Sequence, residues 1–365
     1  MAEAAKYAYD KWMDSQGVPV HRGYFVEDLR TVPLGWWDKR GANSCFIQLN
    51  GLEGISEVRV TEIPPGETLP PLTLAVDETV YVVSGRGLTS VQHGDGPARS
   101  FEWQKHALFM IPGGYTATLS NMSGTEPARV MSYNYLPLAM TVIDNADYFI
   151  NNPHAYLRRQ PNPDATMYAE AKIQMDDQYM YGPRQVWYGN FFPDMKAWDR
   201  LVPFKGRGAG GHVVFIRYPE SNMTNHMSVF PSRTYKKAHR HGPGRAIVIP
   251  DGEGFSVMWQ EGKEKVVIPW HEASLFTPPD KWFHQHFNLG GKPARYLAFH
   301  PPAQFSGYSE KVEDRKKDQI EYPFEEPWIR EKFEGELKAR GLTTLMPDQA
   351  YKDDTFEWDY NASGD

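Results

Sequence analysis

The chain has 365 residues, enough for two globular domains, and carries 39 Lys and Arg against 46 Asp and Glu, a net charge of -7. That mild acidity argues against nucleic acid as a partner, because phosphate binding needs a concentrated basic face, and no apolar run reaches the roughly 18 residues of a membrane span. A single cysteine, Cys45, excludes an internal disulfide and a cysteine-built metal cage, and with no apolar leader in the first 15 residues the expectation is a soluble cytoplasmic protein.

Taken in chain order, residues 1–17 hold the first helical signal: Ala5, Ala8, Tyr9 and Trp12 share one face and Gly17 ends it. From 18 to 140 the units are short. Stretches such as SEVRVTEI, TVYVVSG, ALFMIP and ARVMSYNY are β-branched and aromatic, with Gly or Pro clusters between them. That spacing predicts an antiparallel barrel or jelly roll rather than alternating strands and helices. The connector 141–184 mixes prolines with a predicted helix near 164–178. A second set of short strands fills 185–302. The extension 303–365 opens with the charged run EKVEDRKKDQ. It then offers Pro327 at a helix start, Ile329, Phe333 and Leu337 four apart, and Gly341 at the end. Such a helix is expected to pack on a barrel face or on a neighbouring subunit.

The two strand-rich segments are copies of one unit. At a constant offset of 167, Arg40-Gly41-Ala42 answers Arg207-Gly208-Ala209, Gly85-Arg86-Gly87 answers Gly252-Glu253-Gly254, Pro112 answers Pro279 and Asn121 answers Asn288. Past Asn121 the offset slips to 166, where Pro127-Ala128-Arg129 answers Pro293-Ala294-Arg295. One match is accident; a shared offset through loops of equal length is duplication.

The second copy carries two His-x-His pairs, His239-Arg240-His241 and His284-Gln285-His286. In a strand, residues two apart face the same side, so each pair points both imidazoles one way. Neutral imidazole suits Fe, Zn, Cu or Ni, whereas Mg and Ca prefer all-oxygen shells.

On these motifs the chain resembles the cupin superfamily. The first cupin motif, His-x-His, then Glu, closing in Gly-x-Gly, is matched by HRHGPGRAIVIPDGEG from His239 to Gly254; the second, Pro, His and Asn at fixed spacing, is matched by PDKWFHQHFN from Pro279 to Asn288. The resemblance covers both copies and implies an all-β chain of two tandem cupin barrels, with His239, His241 and His284 as metal ligands. Two departures matter. In the first copy the corresponding positions are Leu72, Leu74 and Ala117, with Leu119 answering His286, so that barrel is expected to be metal-free and Glu78 to be a satisfied polar residue or a relic. In the second, the family's glutamate ligand is replaced by Arg245, which cannot ligate. A cation held by three neutral imidazoles keeps its charge and its open positions, which favours an anionic oxygen donor and leaves room for dioxygen or water.

The chain is similar in layout to the three-histidine Fe(II) ring-cleaving dioxygenases of the gentisate and hydroxynaphthoate type. That resemblance implies Fe(II), dioxygen and a small anionic, oxygenated organic acid as substrate. Those relatives usually carry their metal in the first barrel, and here it falls in the second. The alternatives are a Zn, Ni or Mn cupin doing lyase, isomerase or hydrolase chemistry, and a non-catalytic binding protein.

Other residues are read beside their ordinary structural roles. His286 is an acid/base group, an alternative ligand or a hydrogen-bonded core residue. Arg245 is an anion clamp or the neutraliser of a carboxylate elsewhere. Trp282, Phe283 and Phe287 flank the ligands as a substrate wall or as core. Asn288 is expected to cap a turn, and His300 to reach the cavity if its strand parity allows. Arg233, Lys236 and Lys237 read as a solvated basic face. Exposed barrel edges make a homo-oligomer the generic expectation.

Overall fold

The computed structural model describes residues 7–152, 164, 166–176, 184–219, 221–302 and 317–360. Two sheet pairs account for nearly all of it. In the first half a large sheet runs in the order Val20–Gly23, Ala42–Leu49, Glu57–Ile63, Ala128–Asn134, Glu78–Ser84, Leu108–Ile111, and a four-stranded sheet runs Leu72–Thr73, Thr116–Asn121, Arg86–Gln92, Arg99–Gln104. The second half repeats the plan. Its large sheet contains His212–Arg217, Thr224–Phe230, Ala294–His300, Ala246–Asp251 and Leu275–Phe276, and its smaller sheet Lys265–Trp270, Gly254–Trp259, Phe283–Asn288, Ala238–His239 and Gln319–Ile320. This is an all-β chain of two tandem jelly-roll barrels with short helical additions.

Burial patterns explain the two kinds of sheet. Thr116–Asn121 alternates between half-buried and buried, as expected of a strand with one wet face. Glu78–Ser84 and Ala246–Asp251 are buried almost throughout. They are covered on both sides because the large sheets pack against each other. Tyr81, Val83, Met131 and Tyr133 meet Val248, Leu297 and Phe299 in one shared core, which also encloses Cys45. The alternate residues Val80, Val82 and Val130 fill the first barrel, and Ile247, Ile249 and Ala298 the second. A continuous apolar run thus marks a strand wedged between two cores.

The halves also exchange strands. Phe25–Val26 pairs with Leu275–Phe276 in the second barrel's sheet, and Phe191–Phe192 pairs with Leu108–Phe109 in the first. The exchange is reciprocal: the Leu29 N–H donates to the Ala273 carbonyl and the Met195 N–H to the His106 carbonyl, both at 2.9 Å. His106 and Ala273, 167 apart, both take left-handed backbone (φ 72° and 70°) to present those carbonyls. The segments 18–140 and 185–302 are therefore not closed units; each lends a strand to the other.

The additions follow the sequence in part. A helix spans Ala8–Ser15, with Tyr9 and Met13 buried, and residues 1–6 lie outside the described residues. The helix Pro327–Ala339 buries Ile329, Phe333 and Leu337 against Tyr235, Phe255 and Phe287, on the outer face of the strand that carries His284. The predicted connector helix near 164–178 is not found in the described residues: Lys172–Asp176 is a strand, antiparallel to Arg184–Tyr188. Its Ile173 and Met175 alternate with Lys172, Gln174 and Asp176, a period of two that outweighs the helical reading. Most of the charged run after Pro302 lies outside the described residues. Among the described residues no helix is long and apolar enough to cross a membrane.

Candidate metal centre

His239 ends the short strand Ala238–His239 and faces His284 directly across the ladder. Strand parity does the rest. In Phe283–Asn288, His284 and His286 turn into the barrel, while Phe283 and Phe287 turn outward into the cluster with Trp259 and Phe333. The His239 and His284 ring centroids are 4.2 Å apart and those of His241 and His284 4.6 Å apart. One ligand nitrogen from each of His239, His241 and His284 lies within 4.8 Å of the other two.

The rings are oriented for their lone pairs to converge. Nδ1 of His239 lies 3.3 Å from the Lys237 carbonyl oxygen, that of His241 2.9 Å from Gly242 O and that of His284 3.2 Å from Trp282 O. A carbonyl only accepts, so each Nδ1 carries the proton and each Nε2 is left with its lone pair. Burial disfavours the charged form: the His239 and His241 rings are held well below the ordinary imidazole range, with Arg207 acting next on His239 and Arg245 on His241, and burial pushes His284 down to about 3. Neutral nitrogen donors of this kind fit a divalent transition-metal ion.

His286 is turned differently. Its Nδ1 lies 2.8 Å from Ser256 Oγ, which accepts the Trp270 indole N–H at 3.0 Å. With the indole donating, the hydroxyl is free to donate to Nδ1, which leaves the His286 proton on Nε2. In that tautomer His286 is a hydrogen-bond donor rather than a fourth ligand.

The triad opens onto a cavity of about 340 Å³, within the range of small-molecule sites. Arg184, Arg207, Arg217 and Arg245 line it, with Phe204, Phe215 and Tyr296, and no Asp or Glu among the described lining residues. His226 and His300 complete it as a pair, Nδ1 to Nε2 at 2.7 Å. Lys236 is fully buried behind this wall, its amine on Ser228 Oγ and 5.0 Å from the Phe204 and Tyr296 rings, and burial drives its pKa well below the usual lysine value.

The first barrel has filled the same place. Leu72, Leu74, Ala117 and Leu119 line a residual space of about 10 Å³ together with Arg40 and Glu78. Glu78 accepts from Arg59 at 2.9 Å and from Asn134 at 3.1 Å, so it is a satisfied buried carboxylate. Arg59 also pairs with Glu57, which accepts the Tyr9 hydroxyl at 2.8 Å.

No family model matches this sequence, and no curated protein matches it either. Solved structures share its layout distantly. Oxalate decarboxylase from Bacillus subtilis, in its structure at pH 4.6, superposes with a TM-score of 0.47 at 11% identity over 78% of this chain and 76% of that one. The 7S globulin of Momordica charantia gives a TM-score of 0.47 at 14% identity over 80% and 89%. The barrels described above rest on strand order and register, not on these similarities.

Of the residues singled out from sequence, His239, His241, His284, His286, Arg245 and His300 meet in the cavity. Trp282 and Phe283 do not: Trp282 packs on Tyr24, and Phe283 has the opposite strand parity to His284 and stacks on Trp259. The aromatic wall comes instead from Phe204, Phe215 and Tyr296. Lys236 and Lys237 are not solvated; both are buried, Lys237 on Glu321. Asn288 caps a turn as expected, its amide donating to the carbonyls of Pro231 and Lys292. Asn121 does the same for Pro64 and Glu126. Sequence reasoning missed Arg207 and His226. The Arg40-to-Arg207 match had marked the first, and the same offset sets His226, on the strand Thr224–Phe230, at the position of Arg59.

Proposed function

We propose that this chain is a metal-dependent enzyme of the cupin type, and that it acts as an Fe(II) dioxygenase on a small anionic organic acid. The observation that carries the reading is the convergence of three buried, neutral imidazoles on one point of a cationic cavity, with Arg245 where a carboxylate ligand stands in related motifs. Fe(II) held by His239, His241 and His284 would supply the activation of dioxygen, and Zn, Ni or Mn would fit the same donors. The arginines attract and orient the acid by charge-assisted hydrogen bonds. Phe204, Phe215 and Tyr296 exclude water beside it. His286, with its proton on Nε2, donates a hydrogen bond to an oxygen bound in the cavity.

A second reading has its own support. The His226–His300 pair offers a proton carrier that oxygen insertion does not need, which favours proton-transfer chemistry of the lyase or isomerase kind on a Lewis-acidic ion. Elemental analysis of anaerobically purified protein, followed by oxygen uptake during turnover, separates the two. Iron with stoichiometric oxygen consumption supports the dioxygenase; turnover without oxygen sinks it. Replacing His239 or His284 by Ala abolishes metal and activity together, and full turnover by metal-free protein defeats both readings.

A further inference from the structure

The loop between His241 and Arg245 is held by the other barrel. It consists of Gly242, Pro243 and Gly244, and the Gly242 carbonyl lies 2.9 Å from His241 Nδ1, so the loop sets how that ring turns. Both polar groups of Gly244 bond to the first half of the chain. Its N–H donates to the Gly51 carbonyl at 2.6 Å, and its carbonyl accepts the Tyr133 hydroxyl at 2.5 Å. With its proton given to Gly244, Tyr133 accepts from Ser56 Oγ at 3.0 Å, and both side chains are buried. No larger residue fits at 244, because the backbone is left-handed (φ 83°) and a Cβ would run into Ile55.

Gly51, Ile55 and Ser56 belong to one compact turn, in which the Ile55 and Ser56 N–H groups both donate to the Leu52 carbonyl at 3.0 Å. Leu52 anchors the turn in the shared core. The turn also abuts the start of the second motif: a Cβ on Gly51 would stand 2.9 Å from Pro279 Cα. The repeat does not mirror this contact. It sets Phe299 at the position of Tyr133, their rings 5.4 Å apart, and Asp77 at the position of Gly244. Phe299 has no hydroxyl to give, and Asp77 accepts the Gly113 N–H of its own barrel at 2.8 Å. At this point the barrel without the triad supports the barrel that has it.

We propose that Tyr133 is a positioning residue for the metal centre: through Gly244 it fixes the loop that orients His241. The inference rests on the preceding reading of the triad and gives the first barrel a task in it. Pro243 stiffens the link between Gly244 and Gly242. Loss of the hydroxyl takes a donor from a buried carbonyl, and the loop then relaxes and turns His241 out of line.

Co(II) titration of the protein, read by calorimetry and by the visible absorption of the bound ion, tests this with two matched variants. Tyr133→Phe and Tyr81→Phe each remove one hydroxyl from the shared core, and that of Tyr81 is bonded to His106 Nδ1 at 2.7 Å rather than to the loop. Tyr133→Phe binds Co(II) about tenfold more weakly and shifts its absorption bands, the effect of a ligand that has lost its orienting support. Tyr81→Phe binds as the parent does. Ser56→Ala, which lets the Tyr133 hydroxyl swing, gives the same change in smaller measure and carries the test if Tyr133→Phe fails to fold; parent-like binding by Ser56→Ala then overturns the proposal. Parent-like affinity and spectrum in Tyr133→Phe also overturn it, and so does an equal loss in both tyrosine variants, which marks general loosening of the core. A parent that binds no Co(II) defeats the metal-centred reading together with this one.

Discussion

His226 Nδ1 lies 2.7 Å from His300 Nε2, both residues half-buried in the wall of the cavity. Two nitrogens at that distance share one proton, one ring donating and the other accepting. Burial holds both well below the ordinary imidazole range, and the cations around them, Arg245, Lys236, Arg184 and Arg207 for His226 and Arg245 and Arg184 for His300, push the same way. A depressed imidazole pKa has a definite sign in stability. Below the unfolded value of about 6.5 the unfolded chain takes up protons that the folded chain refuses, so stability falls as pH falls. The urea midpoint is therefore expected to drop between pH 7.5 and 5.5. His226→Gln, which keeps a bond to His300, flattens that drop and leaves metal content unchanged. An unaltered pH slope in the variant removes the pair from this role.

Gly254 has no room for a side chain. A Cβ there would stand 1.9 Å from the Phe287 carbonyl oxygen and 2.7 Å from the Trp270 ring. Its counterpart Gly87 is enclosed in the same way by Ser120 and Trp103. Trp270 fixes Ser256, and Ser256 fixes His286, so crowding at Gly254 reaches the site through two hydrogen bonds. Gly254→Ala is expected to cost about 1–3 kcal/mol or more, measured by urea unfolding, because overpacking a filled core forces backbone shifts. Metal occupancy should fall with it. A variant as stable as the parent would mean that the two strands part easily, contrary to their packing.

The repeat and the triad were legible in the sequence for the same reason: strand geometry converts a spacing of two into a shared face, and equal loop lengths preserve an offset. The tail helix was legible from Ile329, Phe333 and Leu337. What failed was non-local or contrary to type. No spacing reveals that Phe25–Val26 leaves its own barrel, since its partner strand is some 250 residues away. A lysine reads as solvent-facing, yet Lys236 is enclosed by Ser228 and three aromatic rings. Phe283 was within reach of the argument applied to His284, because adjacent strand residues point opposite ways. Arg207 was visible only as part of a repeat; its place beside the triad required the fold.

Glu325 braces the ligand strand from outside. Its carboxylate accepts the Tyr235 hydroxyl and, at 3.1 Å, the Gln285 amide, and Gln285 lies between His284 and His286. Burial pushes its pKa up to about 7, against the lowering effect of those two hydrogen bonds. A raised carboxyl pKa means the folded state holds the proton that the unfolded chain releases near 4.5, so this group's contribution is intact at low pH and is lost as pH rises to about 7. Ionising it in place costs roughly 3 kcal/mol at pH 8. Glu325→Gln removes the ionisation, while any change in its hydrogen bonds is present at both pH values. The variant's stability relative to the parent is therefore expected to improve by up to that amount between pH 5 and pH 8. Histidine contributions are common to both proteins and cancel in the comparison. Urea unfolding of the pair at the two pH values decides it, and an unchanged gap would mean that Glu325 ionises in the folded protein as easily as it does in water.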